Sequence, residues 1–462
     1  MQFQKLPSYL VTLAGVVILG AVSFSANQPT QAFTAKSTVQ VPPKKSLASQ
    51  DRQLAIAPLS NSSILVAQIS PVGGIAVILV MCGIVIGVIL VPGIVQVGQD
   101  EIGIVRKNFG RPTTRLIALK KNEIGWQAKT LDPGLHWYFP WLFDIQKKNA
   151  IYIAPDKIGI VEAKDGDPVS PGQNFGKVVE CNNFQNAQAF FENKGQRGKQ
   201  RGILNTGIYR INTELFDVEI KDVIRIHADQ VGIVEAKDGD PVSPGQNFGK
   251  VVECNDFQDA QAFFDNGGQR GEQLAILTTG TYQINTELFK IQRDSLIRIE
   301  ADQVGIVEAK DGDPVSPGQN FGKVVECNDF QNAQAFFENK GQRGKQRGIL
   351  NTGIYRINTK LFVVKVENVI RIHADQVGIV EAKDGATPPP GQNFGKVVEC
   401  NDFQDAQAFF DNGGQRGKQL AILTTGTYQI NTELFKIQRD SLIRIEAGEI
   451  GIIEAKDGAL LP

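Results

Sequence analysis

The 462-residue chain carries 42% hydrophobic and 21% charged side chains, ordinary for a folded protein, and its 47 glycines and 26 phenylalanines point to aromatic-rich strands joined by turns. A net charge of -1, with no Lys/Arg-rich recognition helix, argues against nucleic acid as a partner. The charge is uneven: residues 1–158 hold 15 basic and 7 acidic side chains, and a basic region beside an apolar segment is what an anionic membrane surface attracts.

Residues 1–32 contain an apolar run, 10–26, preceded by Lys5 and followed by Thr30, Gln31 and Ala32, with small residues where a signal peptidase cuts. This reads as a signal peptide or as an uncleaved first membrane helix. Residues 33–70, rich in Ser, Gln, Pro and Ala, read as a linker. Within 71–96, the 24 residues from 72 to 95 are uncharged, and no charge falls between Arg52 and Asp100. Since about 20 apolar residues at 1.5 Å each cross a hydrocarbon core, a transmembrane helix is expected. Arg106, Lys107, Arg111 and Arg115 follow it closely, whereas only Arg52 precedes it at comparable distance, which places the downstream chain in the cytoplasm. Gly83 and Gly87 form a GxxxG pair through which two such helices could associate, although glycine is common in membrane helices in any case.

The C-terminal two thirds is periodic. Gly159 returns as Gly232, Gly305, Gly378 and Gly451, each 73 residues after the last. Residues 159–231, 232–304, 305–377 and 378–450 are thus four full repeats, with 451–462 a truncated fifth. Such a period marks modules that stack on their neighbours. Residues 97–158 form a shorter relative, because LDPGLHWYFPWLFDI (131–145) aligns without gaps on LNTGIYRINTELFDV (204–218). The shorter unit lacks 17 residues, about the length of NNFQNAQAFFENKGQRG.

A membrane segment followed by EIGIVRKNFGRP and LDPGLHWYFPWLFDIQKK resembles the start of a band 7 (SPFH) domain, the superfamily of stomatins, prohibitins and flotillins, over roughly residues 97–230. The tandem modules bear a looser likeness to the repeats of the major vault protein. The resemblance implies a scaffold that organises membrane proteins or lipids, self-associates, and lies in a bacterial cell or internal membrane with one or two passes and its repeats cytoplasmic. The long Ala/Glu-rich helical region that drives ring assembly in that superfamily is absent from this sequence.

The expected fold is mainly β with one short helix per repeat, an α+β module in tandem array, preceded by the transmembrane helix. In the first repeat, residues 158–163, 176–181, 203–204, 208–211, 216–220 and 223–226 have strand character, with turns at Asp165-Gly166 and Pro171-Gly172. Asn183, or Asp256, Asp329 and Asp402 in the copies, is placed to cap a helix whose apolar positions are Phe184, Ala187, Phe190 and Phe191, with Gly195 at its C-terminus. The pairs Phe190/Phe191, Phe263/Phe264, Phe336/Phe337 and Phe409/Phe410 are the expected packing residues.

No constellation of side chains points to catalysis, and neither a cofactor nor a metal is expected. Cys181, Cys254, Cys327 and Cys400 are one residue copied at module spacing, beyond the roughly 7 Å Cα limit for a disulfide, so they read as free thiols in a reducing compartment. With no histidine nearby in sequence they read as core residues; a thiol redox sensor is the alternative. His227 and His373 are replaced by Glu300 and Glu446 in the other repeats, and with His136 they read as ordinary polar residues. Asp165 and Asp167 read as turn residues rather than calcium ligands, since the fourth repeat has Ala386 at the second position. The loop after the helix alternates between KGQRGKQRG and GGQRGEQLA or GGQRGKQLA, and the net charges run -1, -6, +2 and -3. That alternation reads either as duplication history on a solvated surface or as complementary contact between modules or chains. An exported adhesive array remains the alternative to a cytoplasmic scaffold.

Overall fold

In the computed structural model the described residues are 76, 78–84, 87, 93–455 and 458. The expected leader and linker, and most of the expected membrane segment, lie outside them. Residues 76, 78–84 and 87 are helical, with Gly83 and Gly87 half-buried. Among the described residues no helix is long and apolar enough to cross a membrane. The chain divides into two units, residues 1–97 with 133–145, and 98–132 with 146–462.

In the first unit, β1 (Ile94–Val97) pairs antiparallel with β5 (Gly134–Trp137), Ile94 opposite Trp137 and Val97 opposite Gly134. The Tyr138 N–H donates to the Gly93 carbonyl at 2.8 Å, so the WYFPW loop leaves the sheet beside the end of the apolar stretch.

The second unit is mainly β and built from repeated strand and helix modules. In the first repeat, β8 (Lys157–Ala163) lies between β9 (Gly198–Leu204) and β11 (Phe216–Asp222). Four successive residues, Ile158 to Val161, are buried because both faces of this strand are covered. Ile158 and Ile160 pack on Val223 and Ile203, while Val161 and Ala163 join the phenylalanine core on the other face. The same three-stranded sheet recurs around β13 (Gln230–Ala236), β18 (Gln303–Ala309) and β23 (Gln376–Ala382).

The helices α1 (Ala187–Glu192), α2 (Ala260–Asp265), α3 (Ala333–Glu338) and α4 (Ala406–Asp411) are capped by Asn186, Asp259, Asn332 and Asp405, not by the residues expected from sequence. Asn183 lies in a left-handed turn of three residues, with φ of 53° at Asn182, 49° at Asn183 and 64° at Phe184. A left-handed Phe184 costs about 1–2 kcal/mol, offset by its burial against Phe190 and Phe216 at ring distances of 6.5 and 5.4 Å. Past the helix, the left-handed residue is Lys194 or Lys340 (φ 60°), or Gly267 or Gly413 (φ 70°), rather than Gly195. Gly195 is required by packing instead, since a Cβ there would lie 2.4 Å from the Phe190 ring.

The expected strand at 176–181 does not form; only Gly176 bridges Gln200. Side-chain amides take the place of a ladder. The Lys177 N–H donates to Gln196 Oε1 and the Val178 N–H to Gln261 Oε1, both at 3.0 Å, and Asn193 Nδ2 donates to the Glu180 carbonyl at 2.6 Å.

Each repeat is completed by its neighbour. β12 (Ile224–Ile226) pairs with β15 (Gly280–Tyr282) of the next repeat, Arg225 opposite Thr281. Ile297–Ile299 pairs likewise with Gly353–Tyr355, and Ile370–Ile372 with Gly426–Tyr428. Phe175, Phe248 and Phe321 each enter the core of the repeat that follows. The shorter module keeps this plan. Its β2 (Glu101–Lys107) pairs with β4 (Gly125–Gln127) as β8 pairs with β9, and Gly125 shares the left-handed conformation of Gly198, φ 107° against 98°.

Candidate functional site

The expected packing pairs split into two roles. Phe190, Phe263, Phe336 and Phe409 are fully buried at the centre of their own modules. Their neighbours face the preceding module. Phe264 lies under the Arg201 guanidinium at 3.5 Å and Phe410 under Arg347 at 3.6 Å, with Arg115 over Phe191 at 5.1 Å. Phe337 joins a core that includes Leu274 of the second repeat, where Leu274 stands in the position of Arg201.

A buried asparagine hooks each module to the one before. Asn285 Nδ2 donates to the Gln200 carbonyl, Asn358 to that of Gln273 and Asn431 to that of Gln346, each at 2.9 Å. Asn212 makes the same bond to Gln127 of the shorter module at 3.0 Å. The glutamines are held in turn by their own turns, Gln200 Nε2 donating to the Gln196 and Gly198 carbonyls at 2.7 Å. The Asp-Gly turns contribute as well. Buried Asp238 accepts from the Gly239 N–H within its turn and from the Asn174 N–H of the first repeat, both at 2.9 Å. These aspartates are joint residues, and among the described residues no group of side chains is arranged to hold a metal ion.

Charge pairs border the joints. Glu287 receives Lys199 and Lys221 of the first repeat, the latter at 2.5 Å, and these hydrogen bonds hold its carboxyl down to about 2, against an ordinary value of 4.5. A depressed carboxyl stabilises the fold above its unfolded value, and that stabilisation disappears as pH falls through the folded value. Glu287→Gln should therefore lower the urea midpoint at pH 7, and the gap from the parent protein should close between about pH 4.5 and 2. Denaturant titrations at a series of pH values check this.

The four repeat cysteines are free and buried. Burial pushes the Cys181, Cys254, Cys327 and Cys400 thiols up, which disfavours the nucleophilic thiolate. His227 and His373 are exposed on turns. A groove of about 680 Å³ opens between the shorter module and the first repeat, lined in part by Lys121, Lys129, Thr130, Asp132, Gln185 and Arg210.

The first unit presents a different surface. In the alignment of 131–145 on 204–218, Phe139 stands where Asn212 makes its hook and Trp141 where Glu214 stands. Phe139, Trp141, Trp137, Leu135 and Ile94 all expose their side chains, Trp141 to 58%. The rings of Trp137, Phe139 and Trp141 stack edge to face in series at 6.3 and 5.2 Å. The ungapped alignment of 131–145 on 204–218 already carries this exchange of polar hook for aromatic ring. Neither a scan against protein-family models nor a search of curated proteins finds a match to this chain.

Proposed function

We propose that this chain is a membrane-anchored, non-enzymatic scaffold of the band 7 kind, its first module seated at the bilayer and its repeats extending a binding surface that organises membrane proteins or lipids. The observation that carries the reading is the aromatic loop. At positions where the later repeats carry the hook asparagine and, two residues on, a charged side chain (Glu214, Glu287, Lys360 or Glu433), the first module presents Phe139 and Trp141, hydrogen-bonded through Tyr138 to the end of an apolar stretch. Exposed tryptophans beside an apolar segment suit the headgroup level of a membrane. Among the described residues of that stretch, Ile78, Leu79, Met81 and Ile84 are more than half exposed. The basic side chains that follow favour a cytoplasmic array, and the one-module-after-another construction suits a scaffold more than an active site.

The chain has three tryptophans, Trp126, Trp137 and Trp141, so Trp126→Phe leaves only the loop to fluoresce. In vesicles made with brominated phosphatidylcholine, that variant should be strongly quenched, most by bromines near the headgroup. The parent protein should also stay in the pellet after alkaline carbonate extraction, while Val80→Arg with Ile84→Arg should release it, each charge costing roughly 2.5–3.5 kcal/mol near the bilayer centre. Full extraction of the parent protein, or loop fluorescence indifferent to bromine, would sink the reading.

A further inference from the structure

The three joints between full repeats share the asparagine hook and the strand pairing, yet differ in charge. At the first, Lys199 and Lys221 face Glu287. At the third, Lys345 and Lys365 face Glu433 at 2.6 and 3.6 Å. The middle joint is reversed at the principal pair: Glu272 stands in the place of Lys199, and Lys360 in that of Glu287, whereas the Lys221 position is acidic at both later joints, as Asp294 and Glu367. There Glu272 meets Lys360 at 4.0 Å, and Asp294 accepts a hydrogen bond from Thr359. The reversal involves both sides of one joint, so it preserves complementarity while changing its sign. The stacking residue changes with it, Arg201 and Arg347 on Phe264 and Phe410 but Leu274 against Phe337.

We propose that these charges form a neighbour-selection code, in which a lysine-bearing face accepts a glutamate-bearing successor, a glutamate-bearing face accepts a lysine-bearing one, and the repeat one place too far along is refused, in the same chain or in a second copy. Near-identical modules in tandem are prone to docking on the wrong neighbour or on another chain. The shared hook and strands give no protection against this. Repeat 3 docked on repeat 1 would set Lys360 against Lys199 and Lys221, and repeat 4 docked on repeat 2 would set Glu433 against Glu272. Glu287 and Glu433 are 21% and 26% exposed, against 37% and 39% for Glu272 and Lys360, so solvent screens the outer joints less than the middle one. Specificity here comes from the repulsion built against the wrong partner as much as from attraction to the right one.

Strand register supplies a reporter in the full chain. Arg225 lies opposite Thr281 in the first joint, and Arg298 opposite Ile354 in the second. Skipping one repeat would bring position 225 to position 354. With Cys82→Ser throughout, R225C/T281C, R298C/I354C and R225C/I354C chains are refolded from urea under reductant, then oxidised and resolved by electrophoresis. With native charges, the 225–354 link should be at least roughly tenfold weaker than the other two. In the E272K/D294K/K360E background, where the middle joint has the charges of the first, the 298–354 link should persist while the 225–354 link rises several-fold, within chains or between them. K199E/K221E/E287K opens the same wrong pairing with the opposite charges and serves if the first variant folds poorly. An unchanged 225–354 yield in both backgrounds, or a strong 225–354 link with native charges, would overturn the code.

Discussion

Replacing Phe263 by alanine should unfold the second repeat and leave the fourth intact. The Phe263 ring is fully buried and meets Phe289 at 5.1 Å, Phe264 at 5.6 Å and Phe257 at 6.1 Å. Its loss empties the centre of one module at a cost of about 3–5 kcal/mol, comparable with the whole stability of a small domain. Hydrogen-exchange mass spectrometry should show loss of protection across residues 230–295 and a partial loss in the third repeat, whose core takes Phe248 and Leu274 from the second. The fourth repeat takes Phe321 from the third and nothing from the second, so its protection should persist. Phe264→Ala should be milder and concentrated at the first joint, because that ring is half-buried under Arg201. Equal loss of protection in all four repeats would mean one continuous cooperative core rather than serial modules.

The period and the central strands were legible because they are local signals. GIVEA alternates two packing faces within a single strand, and the 73-residue spacing needs no structure to be seen. The helix was also legible, but its cap was displaced by three residues, since Asn183 and Asn186 both offer the short polar side chain that suits a cap and equally a left-handed turn. What the sequence concealed were the joints. Asn285 and Gln200 are 85 residues apart, and no helical or strand periodicity relates them. Their one signal was the persistence of Asn in NTELF or NTKLF through all four repeats, between strands, where a freely varying surface residue would have had little reason to stay the same. The alternating loop charges are visible in the sequence, but only the fold sets Lys199, Glu272 and Lys345 facing the opposite charge on the next repeat.

The joints also change what a module is. A 73-residue repeat would be marginal alone, since small domains bury a low fraction of their surface. Here the last strand of one repeat pairs with a short strand of the next in a two-stranded ladder, and a phenylalanine of the first enters the core of the second. Stability is then shared between neighbours, so a lesion at a joint acts on cooperativity where a lesion in a core acts on one module.

Asn358→Leu should accordingly split the array at its middle joint. Asn358 is 2% exposed, and its Nδ2 donates to the Gln273 and Leu274 carbonyls at 2.9 and 3.2 Å. Its Oδ1 accepts from the Lys360 and Leu361 N–H groups at 3.1 and 3.3 Å. Leucine of similar size removes all four bonds, the Leu361 N–H keeping only its bond to the Asn358 carbonyl, at about 1–3 kcal/mol for each buried group left without a partner. Calorimetry should show the parent protein's transition broaden or divide, with repeats 1 and 2 melting apart from repeats 3 and 4. Asn358→Asp separates the two halves of the hook. It keeps the acceptor for Lys360 and Leu361 but loses the donor and sets a charge against two carbonyls, so it should uncouple the joint nearly as well. A single sharp transition in both variants would shift the coupling to the strand pair Ile297–Ile299 with Gly353–Tyr355, and the asparagine would then set only the local turn.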